Sequence, residues 1–454
     1  MSSQSLRKRL LLGTGASALG PLVTAFIQIG TVPVFLHFWG ARLYGEWLIL
    51  SAIPTYLALS DFGFGTASGN EMTMRVAAGD RQNALEIFQS TWILALAGSA
   101  VMLIVAAACT WFLPLGNWLK LSVLTGPTLS IIVLALSVYA LIGMQGTLLS
   151  AAFRCDGNFA LGTFIVNLQR LLEGIAAIAL VAAGASPCSV ALAYVLLRSL
   201  TTLGMAALLK RKSPWLHYGW CFAGAKCLRK LLHPALASLA FPTAQVISLQ
   251  GIIIVIAAIL GPVQVVMFST LRTLTRAVPL ITDTIKHAVW PELSAAFGKN
   301  DRDLAWKLYL HCCQLCLLVA ISCGAGLAFF GAHIYTTWTH GGVSFDAPVF
   351  DVLLVVAVAN AFWAATSVAP LATNTHGRIA AAFLVSSGIS IVLAAGLLRS
   401  FGILGGGLAL VVTELGIASF VTKDSLATMQ TPALRFAAGM FRLPEITLRG
   451  GARA

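Results

Sequence analysis

Arg272 and Arg276 stand four residues apart in the stretch from Val263 to Leu293, VQVVMFSTLRTLTRAVPLITDTIKHAVWPEL, which is otherwise long and apolar enough to cross a bilayer. At helical spacing Ser269, Arg272, Arg276, Asp283 and His287 recur at steps of three, four or seven, so they share one face. Two guanidinium groups one turn apart suit an anion with several oxygens, because arginine donates in a planar fork that grips phosphate bidentately. A charge at the bilayer centre costs roughly 2.5–3.5 kcal/mol on insertion scales, so these side chains are expected to face a watery cavity rather than lipid. Two readings stay open: a site that handles an anion, and an arginine pair fixed by carboxylates of neighbouring helices for structure alone.

Other charges inside apolar stretches extend the set. Arg170 and Glu173 lie three apart, close enough to pair; in the functional reading Arg170 turns to an anionic substrate and Glu173 accepts a proton. Arg198 has no carboxylate within one turn and needs an interhelical partner or a cavity. Glu414, the only acid of its stretch, is a second proton site or an interhelical pairing residue. Asp61 ends the second stretch, either as a helix-end cap linked to a cytoplasmic arginine or as a gating residue. The expected substrate-binding residues are therefore Arg272, Arg276, Arg170 and Arg198, and the expected coupling or gating residues are Glu173, Asp283, Glu414 and Asp61. Gln28, Gln145, Asn167, Gln169, Gln245, Gln250 and Asn360 add uncharged hydrogen-bonding groups suited to a sugar, or to holding helices together. The sequence has no Walker loop, zinc spacing or nucleophile elbow, so neither an enzyme nor a cofactor is expected. Cys312, Cys313, Cys316 and Cys323, beside His311, read as small polarizable packing residues rather than as metal ligands.

The elements that must position these groups are membrane helices. Of the 454 residues, 58% are hydrophobic and 10% charged, against the roughly 25% charged of soluble domains. An all-α polytopic membrane protein follows. Apolar stretches of about 20 residues give about 12 spans: 15–37, 44–64, 90–113, 126–150, 160–183, 188–209, 236–260, 263–286, 310–331, 349–372, 379–398 and 402–422. Lysine and arginine fall almost wholly on one side of that arrangement. Arg7, Lys8 and Arg9, the Lys210–Lys212 cluster, Lys299 to Lys307 and the tail share it, while only Arg42, Lys120 and Arg399 lie opposite. Both termini are therefore expected in the cytoplasm, and the net charge of +13 reflects membrane topology rather than nucleic-acid binding. Arg7-Lys8-Arg9 leads into an apolar stretch too long for a signal-peptide core, so the first span is expected to stay in place.

The halves repeat. Gly40, between the first two spans, corresponds to Gly261, between the seventh and eighth, 221 positions on; Gly157 in DGNFA corresponds to Gly377 in HGRIA, 220 positions on. An offset of six spans keeps the repeat parallel, which predicts two pseudo-symmetric six-helix bundles around a central cleft. The expected parts are an N-terminal bundle over 1–210, a cytoplasmic basic linker over 211–234, a C-terminal bundle over 235–422 and a cytoplasmic basic tail over 423–454. The linker aromatics Trp215, Tyr218, Trp220 and Phe222 suit the headgroup region, and the tail stretch LRFAAGMFRL suits the membrane surface.

The run VPVFLHFWGARLYGEWLILSAIPTYLALSDFGFGTASGNEM resembles the start of Wzx-type polysaccharide flippases of the multidrug/oligosaccharidyl-lipid/polysaccharide exporter superfamily, through Gly40, Tyr44, Gly45, Trp47, Asp61, Gly63 and Gly65. The resemblance covers residues 15–80 and implies an inner-membrane protein. Its implied activity is to turn undecaprenyl-diphosphate-linked O-antigen or exopolysaccharide repeat units from the cytoplasmic to the periplasmic leaflet. The implied partners are a lipid-linked anionic oligosaccharide, the membrane and a polysaccharide polymerase. Similar lipid II flippases carry arginines early in the first half, and this sequence has none inside its first two spans. The alternatives are a cation-coupled multidrug exporter of the same superfamily and a non-transporting membrane scaffold for glycan assembly.

Overall fold

The structure, a computed structural model, describes residues 3–61, 63–373, 375 and 377–441. Its longer elements are helices throughout. The first half holds α1 (Ser3–Leu50), α2 (Ala52–Leu57), α3 (Phe64–Ala77), α4 (Arg81–Phe112), the short α5 (Leu115–Trp118), α6 (Gly126–Cys155), α7 (Phe159–Ala182) and α8 (Pro187–Lys212). The second holds α9 (Ala225–Val246), α10 (Ile252–Leu260), α11 (Pro262–Thr275), α12 (Ala277–Gly298), α13 (Arg302–Thr339), α14 (Ala347–Thr366), α15 (Val368–Ala372), α16 (Gly377–Phe401), α17 (Ile403–Met429) and α18 (Ala433–Met440).

Ten helical stretches among the described residues are long and apolar enough to cross a membrane. The first of them contains two of the expected spans. A straight helix of 48 residues would be about 70 Å long, more than twice the thickness of the hydrocarbon core, and α1 is broken at Gly40, whose φ of 69° and ψ of 168° are non-helical. The expected span at 263–286 is the pair α11 and α12, too interrupted and too charged to count among the ten. Separating the two parts of α1 and adding this pair accounts for all twelve.

Three of the helix interruptions share one cause. Ser51, Arg276 and Ser367 each separate two helical segments, and each stands three residues before a proline, Pro54, Pro279 or Pro370. Proline has no N–H, so the carbonyl four residues before it loses its helical partner and the ladder opens there. It resumes at once: Arg276 N donates to Arg272 O at 3.0 Å, and Leu280 N donates to Arg276 O at 3.2 Å.

The repeat is visible in the backbone. Left-handed residues recur in corresponding loops: Gly40 and Gly261 (221 apart), Gly79 and Asn300 (221), Lys120 and His340 (220), Gly184 and Gly402 (218). Gly40 and Gly261 also share an extended ψ, 168° and 177°, so one residue alone joins consecutive spans in both halves. The second sequence match does not carry the same geometry. Gly157 is left-handed at φ 79°, whereas Gly377 is the first residue of α16 and is not.

By packing, the chain forms two compact units. The first runs to Thr270 and includes Tyr335–Phe345 and Leu398–Ile403; the second takes Leu271–Ile334, Asp346–Leu397 and the chain from Leu404 on. In the first, Phe88 of α4, Leu148, Leu149 and Phe153 of α6, and Met205 and Leu209 of α8 belong to one buried cluster. In the second, Leu293 of α12, Tyr309, Cys312, Cys313 and Cys316 of α13, Val368 of α15 and Phe436 of α18 form another. The α13 cysteines are thus core residues.

Two segments read from the sequence as membrane-surface elements are pinned to protein. Between α8 and α9 the linker is a strap: Asp156, at the end of α6, accepts from the Ser213 hydroxyl and from Trp215 Nε1 (3.3 Å). Gln89 of α4 donates to His217 O (3.2 Å) and accepts from Phe222 N (3.0 Å), while Gly224 N donates to Ser90 Oγ (3.0 Å). Of the four linker aromatics Trp220 remains the most open, at 70% exposure. In the tail, α18 lies on α13, with Gln314 Nε2 donating to Gly439 O at 2.8 Å and Phe436 buried beside Trp306 and Tyr309. Residues 442–454 lie outside the described residues.

Candidate functional site

Arg272 lies in the last turn of α11 in a half-buried position, and Arg276, exposed, occupies the interruption between α11 and α12. The charge of Arg276 is felt at Arg272. A proline-broken helix in a spanning segment therefore presents two cations together, and the acid whose charge reaches Arg276 is Asp283, seven residues on. Asp283 is itself held by Lys286 at 2.5 Å. The stripe expected on one continuous helix is carried on two helical pieces. The reason is Pro279, which opens the ladder at Thr275.

Glu173 and Arg198 meet in the first unit. Arg198 Nε donates to Glu173 Oε1 and Arg198 Nη2 to Glu173 Oε2, both at 2.8 Å. The carboxylate also accepts from Tyr139 OH and from Gln169 Nε2, each at 2.9 Å. The Tyr139 ring lies 4.1 Å below the Arg198 guanidinium carbon. Three helices, α6, α7 and α8, are thereby tied by one buried charge pair whose hydrogen-bonding needs are met, the condition under which burial of charge is tolerated. Of the two outcomes open for Arg198, the interhelical partner is the one formed. The i,i+3 pairing of Arg170 with Glu173 is not formed: Gln169 and Glu173 point into the buried side of α7 and Arg170 is exposed. Arg170 has no ion pair among the described residues.

Glu414 of α17 is 7% exposed and accepts from Trp363 Nε1 at 2.5 Å and from Asn360 Nδ2 at 3.3 Å, both on α14. No cation pairs with it among the described residues. It is a buried carboxylate held by neutral donors, the arrangement in which gain or loss of a proton changes the local charge outright. The side chain of Asp61 lies outside the described residues.

The expected residues thus fall into four places: Arg272 with Arg276 and Asp283, Glu173 with Arg198, Glu414 with its α14 donors, and Arg170 by itself. Arg170 and Arg198 belong to the first unit, Arg272 and Arg276 to the second. Tyr139 and Trp363 were not singled out from the sequence. The available signal is that a tyrosine or tryptophan inside a span must place its O–H or N–H on a partner, and an acid in a nearby span is the natural acceptor.

The residues that carry the flippase resemblance have packing roles. A Cβ on Gly45 would lie 2.1 Å from the Pro262 carbonyl oxygen, and one on Gly63 2.2 Å from that of Ala235. Tyr44 and Trp47 are buried. Between them Glu46 is fully buried and accepts from the amides of Ser122 (2.7 Å), Val123 (3.0 Å) and Leu124 (2.7 Å), fixing the loop before α6.

No family model matches the chain, and no curated protein is significantly similar to it in sequence. Solved structures do match. One, described as the inward-facing conformation of a multidrug resistance MATE family transporter of the MOP superfamily, superposes with a TM-score of 0.73 over 91% of this chain and 95% of that one, at 15% identity. The fold is the MATE fold. An outward-facing conformation of a multidrug resistance MATE family transporter gives a TM-score of 0.63 at 16% identity, over 95% and 96% of the two chains. A MATE structure in complex with MaL6 gives 0.55 at 15%, over 95% of each. At these identities the likeness carries the fold alone. A multi-pass, all-helical chain with the MATE fold agrees with the span count and the six-span repeat.

Proposed function

We propose that this chain is a lipid-linked oligosaccharide flippase, which moves undecaprenyl-diphosphate-linked polysaccharide repeat units from the cytoplasmic to the periplasmic leaflet of the inner membrane by alternating access. The observation that carries the proposal is the placement of Arg272 and Arg276, two cations of like charge one turn apart on a spanning segment interrupted at Arg276. An anion with several oxygens offsets both charges, and a diphosphate supplies one in the form arginine grips best. Arg170, an exposed cation in a span, is a further contact for the glycan-phosphate headgroup. Arg198 is taken up by its pair with Glu173 and is not counted among the substrate contacts. The glycan passes through hydrated protein while the prenyl chain stays in lipid, which avoids carrying charge and sugar through hydrocarbon. Glu173, Asp283, Glu414 and Asp61 are the acids available for coupling, both termini are cytoplasmic, and a polysaccharide polymerase receives the flipped unit.

The test is the Arg272→Ala/Arg276→Ala variant at matched protein level. Surface polysaccharide should disappear and the lipid-linked repeat unit should accumulate on the cytoplasmic leaflet, with lysine at both positions retaining part of the activity. Normal surface polysaccharide in the double alanine variant would rule out the clamp.

One observation favours a second reading, a cation-coupled multidrug exporter. The matching solved structures are described as multidrug transporters, and Glu414 is a buried acid of the kind a cationic drug or a coupling proton needs. Under that reading a deletion strain becomes susceptible to cationic drugs, its surface polysaccharide is unchanged, and Glu414→Gln alone reproduces the susceptibility.

A further inference from the structure

We propose that an open groove on the second unit is a binding site for one anionic phospholipid of the bilayer, with an acyl chain lying along α17 and the headgroup at Lys423. The groove encloses about 990 Å³ between α14 and α17 and is walled by small and apolar residues, among them Phe362, Leu415, Ala418 and Ala427. Its α17 residues recur at steps of three and four from Leu415 to Gln430, so they form one stripe along the helix. Fifteen residues at 1.5 Å each make that stripe about 22 Å long. One leaflet of hydrocarbon is about 15 Å deep, so the stripe is long enough to reach from the bilayer interior to the headgroups. Alanines at 359, 418 and 427 leave a recess that no side chain among the described residues fills, and in a spanning segment the solvent that fills it is hydrocarbon.

The charge on the outer half of the stripe selects the headgroup. Lys423 lines the groove about 12 Å along the stripe from Leu415, near the depth of one leaflet, is exposed, and makes no ion pair among the described residues. The acid next to it, Asp424, is taken by Arg378 at 3.0 Å, so the protein does not neutralise Lys423 from its own helix. Thr422, on the same wall, has a buried hydroxyl with no hydrogen-bond partner among the described residues. At the mouth, Gln430 adopts a left-handed conformation (φ 53°) that closes α17, with Thr431 N donating to Leu426 O at 3.0 Å and Gln430 N to Ala427 O at 3.1 Å. Glycine is the usual residue in that position; here an amide side chain stands two turns beyond the lysine. A cation, an amide and an unpaired hydroxyl along the outer half of an apolar trough fit a phosphodiester with a hydrocarbon tail. The distribution of lysine and arginine puts this end of α17 at the cytoplasmic face, where anionic lipid attracts basic side chains. The site does not depend on what the protein transports.

The experiment is native mass spectrometry of the full-length protein released from mixed micelles containing equimolar phosphatidylglycerol and phosphatidylethanolamine. The wild type should retain one phosphatidylglycerol in several-fold preference to phosphatidylethanolamine. Lys423→Gln, at an exposed position, should bring that preference close to one, and Lys226→Gln, a cation away from the groove, should leave it unchanged. Ala418→Phe/Ala427→Phe, which fills the trough, should lose both lipids; if that variant does not fold, Thr422→Val with Gln430→Ala should still lower retention. Equal retention by wild type and Lys423→Gln overturns the proposal, as does retention of a prenyl-diphosphate sugar in place of phospholipid.

Discussion

Glu173 and Arg198 form a two-pronged pair, both contacts 2.8 Å long, between adjacent membrane helices. With Tyr139 and Gln169 completing the shell of the carboxylate, the pair is neutral as a unit and costly to break by halves. Loss of one partner of a buried pair costs about 3–5 kcal/mol, because the other charge is stranded. Glu173→Ala and Arg198→Ala are each expected to destabilise the protein by about that amount, read as a lowered unfolding temperature in detergent. Glu173→Met/Arg198→Met should recover most of the loss. A double variant no more stable than the single ones would show that the helices need the charges themselves.

Pro279 opens the helix at the level of Arg276, and its replacement tests whether the interruption matters to transport. Pro279→Ala supplies the missing N–H to the Thr275 carbonyl and removes a residue that costs about 3 kcal/mol in a helix interior. The variant should unfold at a higher temperature and transport more slowly, since α11 and α12 would join into one rigid rod. Higher stability with unchanged transport would make the break incidental to function.

Glu414 is held only by neutral donors, so its two protonation states differ by a full charge at one place in the second unit. Glu414→Gln keeps the shape and can still accept from Trp363 and Asn360 through its carbonyl, which predicts near-normal stability. Transport should lose its dependence on the proton gradient. If gradient dependence survives in vesicles containing Glu414→Gln, coupling belongs to another acid. Trp363→Phe, in contrast, removes the 2.5 Å donor and should destabilise by about 1–3 kcal/mol, the usual cost of a stranded buried acceptor.

The class, the spans and the six-span repeat were legible because they rest on hydrophobic length and on residues whose backbone role is nearly unique. Gly40 and Gly261 announced themselves as glycines. Asn300 and His340, which take the same left-handed conformation as Gly79 and Lys120, did not, because no side chain marks the position. The cationic eighth segment was readable from spacing, yet its division at Arg276 was not, although Pro279 was in plain view, since a proline inside a span is compatible with either a kink or a break. Partner choice was the least legible. Arg170 is nearer Glu173 in sequence than Arg198 is, but α7 turns Arg170 outward and its neighbour α8 brings Arg198 in. Likewise the linker and the tail looked like surface elements by composition, and only Asp156, Gln89 and Gln314, which say nothing by themselves, show where those segments dock.

The strap between α8 and α9 gives the last prediction. Asp156 receives two donors from it, the Ser213 hydroxyl and the Trp215 indole, and Gln89 receives or supplies two more bonds at its middle. Hydrogen bonds to a charged acceptor contribute about 1.5–3 kcal/mol each, so Asp156 is the stronger anchor. Asp156→Ala should loosen the strap locally without unfolding the helices, because the packed cluster around Phe153 and Leu209, in which Leu216 is buried and against which Trp215 packs, stays in place. Trypsin should then cut after Lys212 or Lys226 several-fold faster than in the wild type, while Gln89→Ala should raise the rate less. Equal cleavage in all three proteins would mean that the strap opens as readily with its anchors as without them.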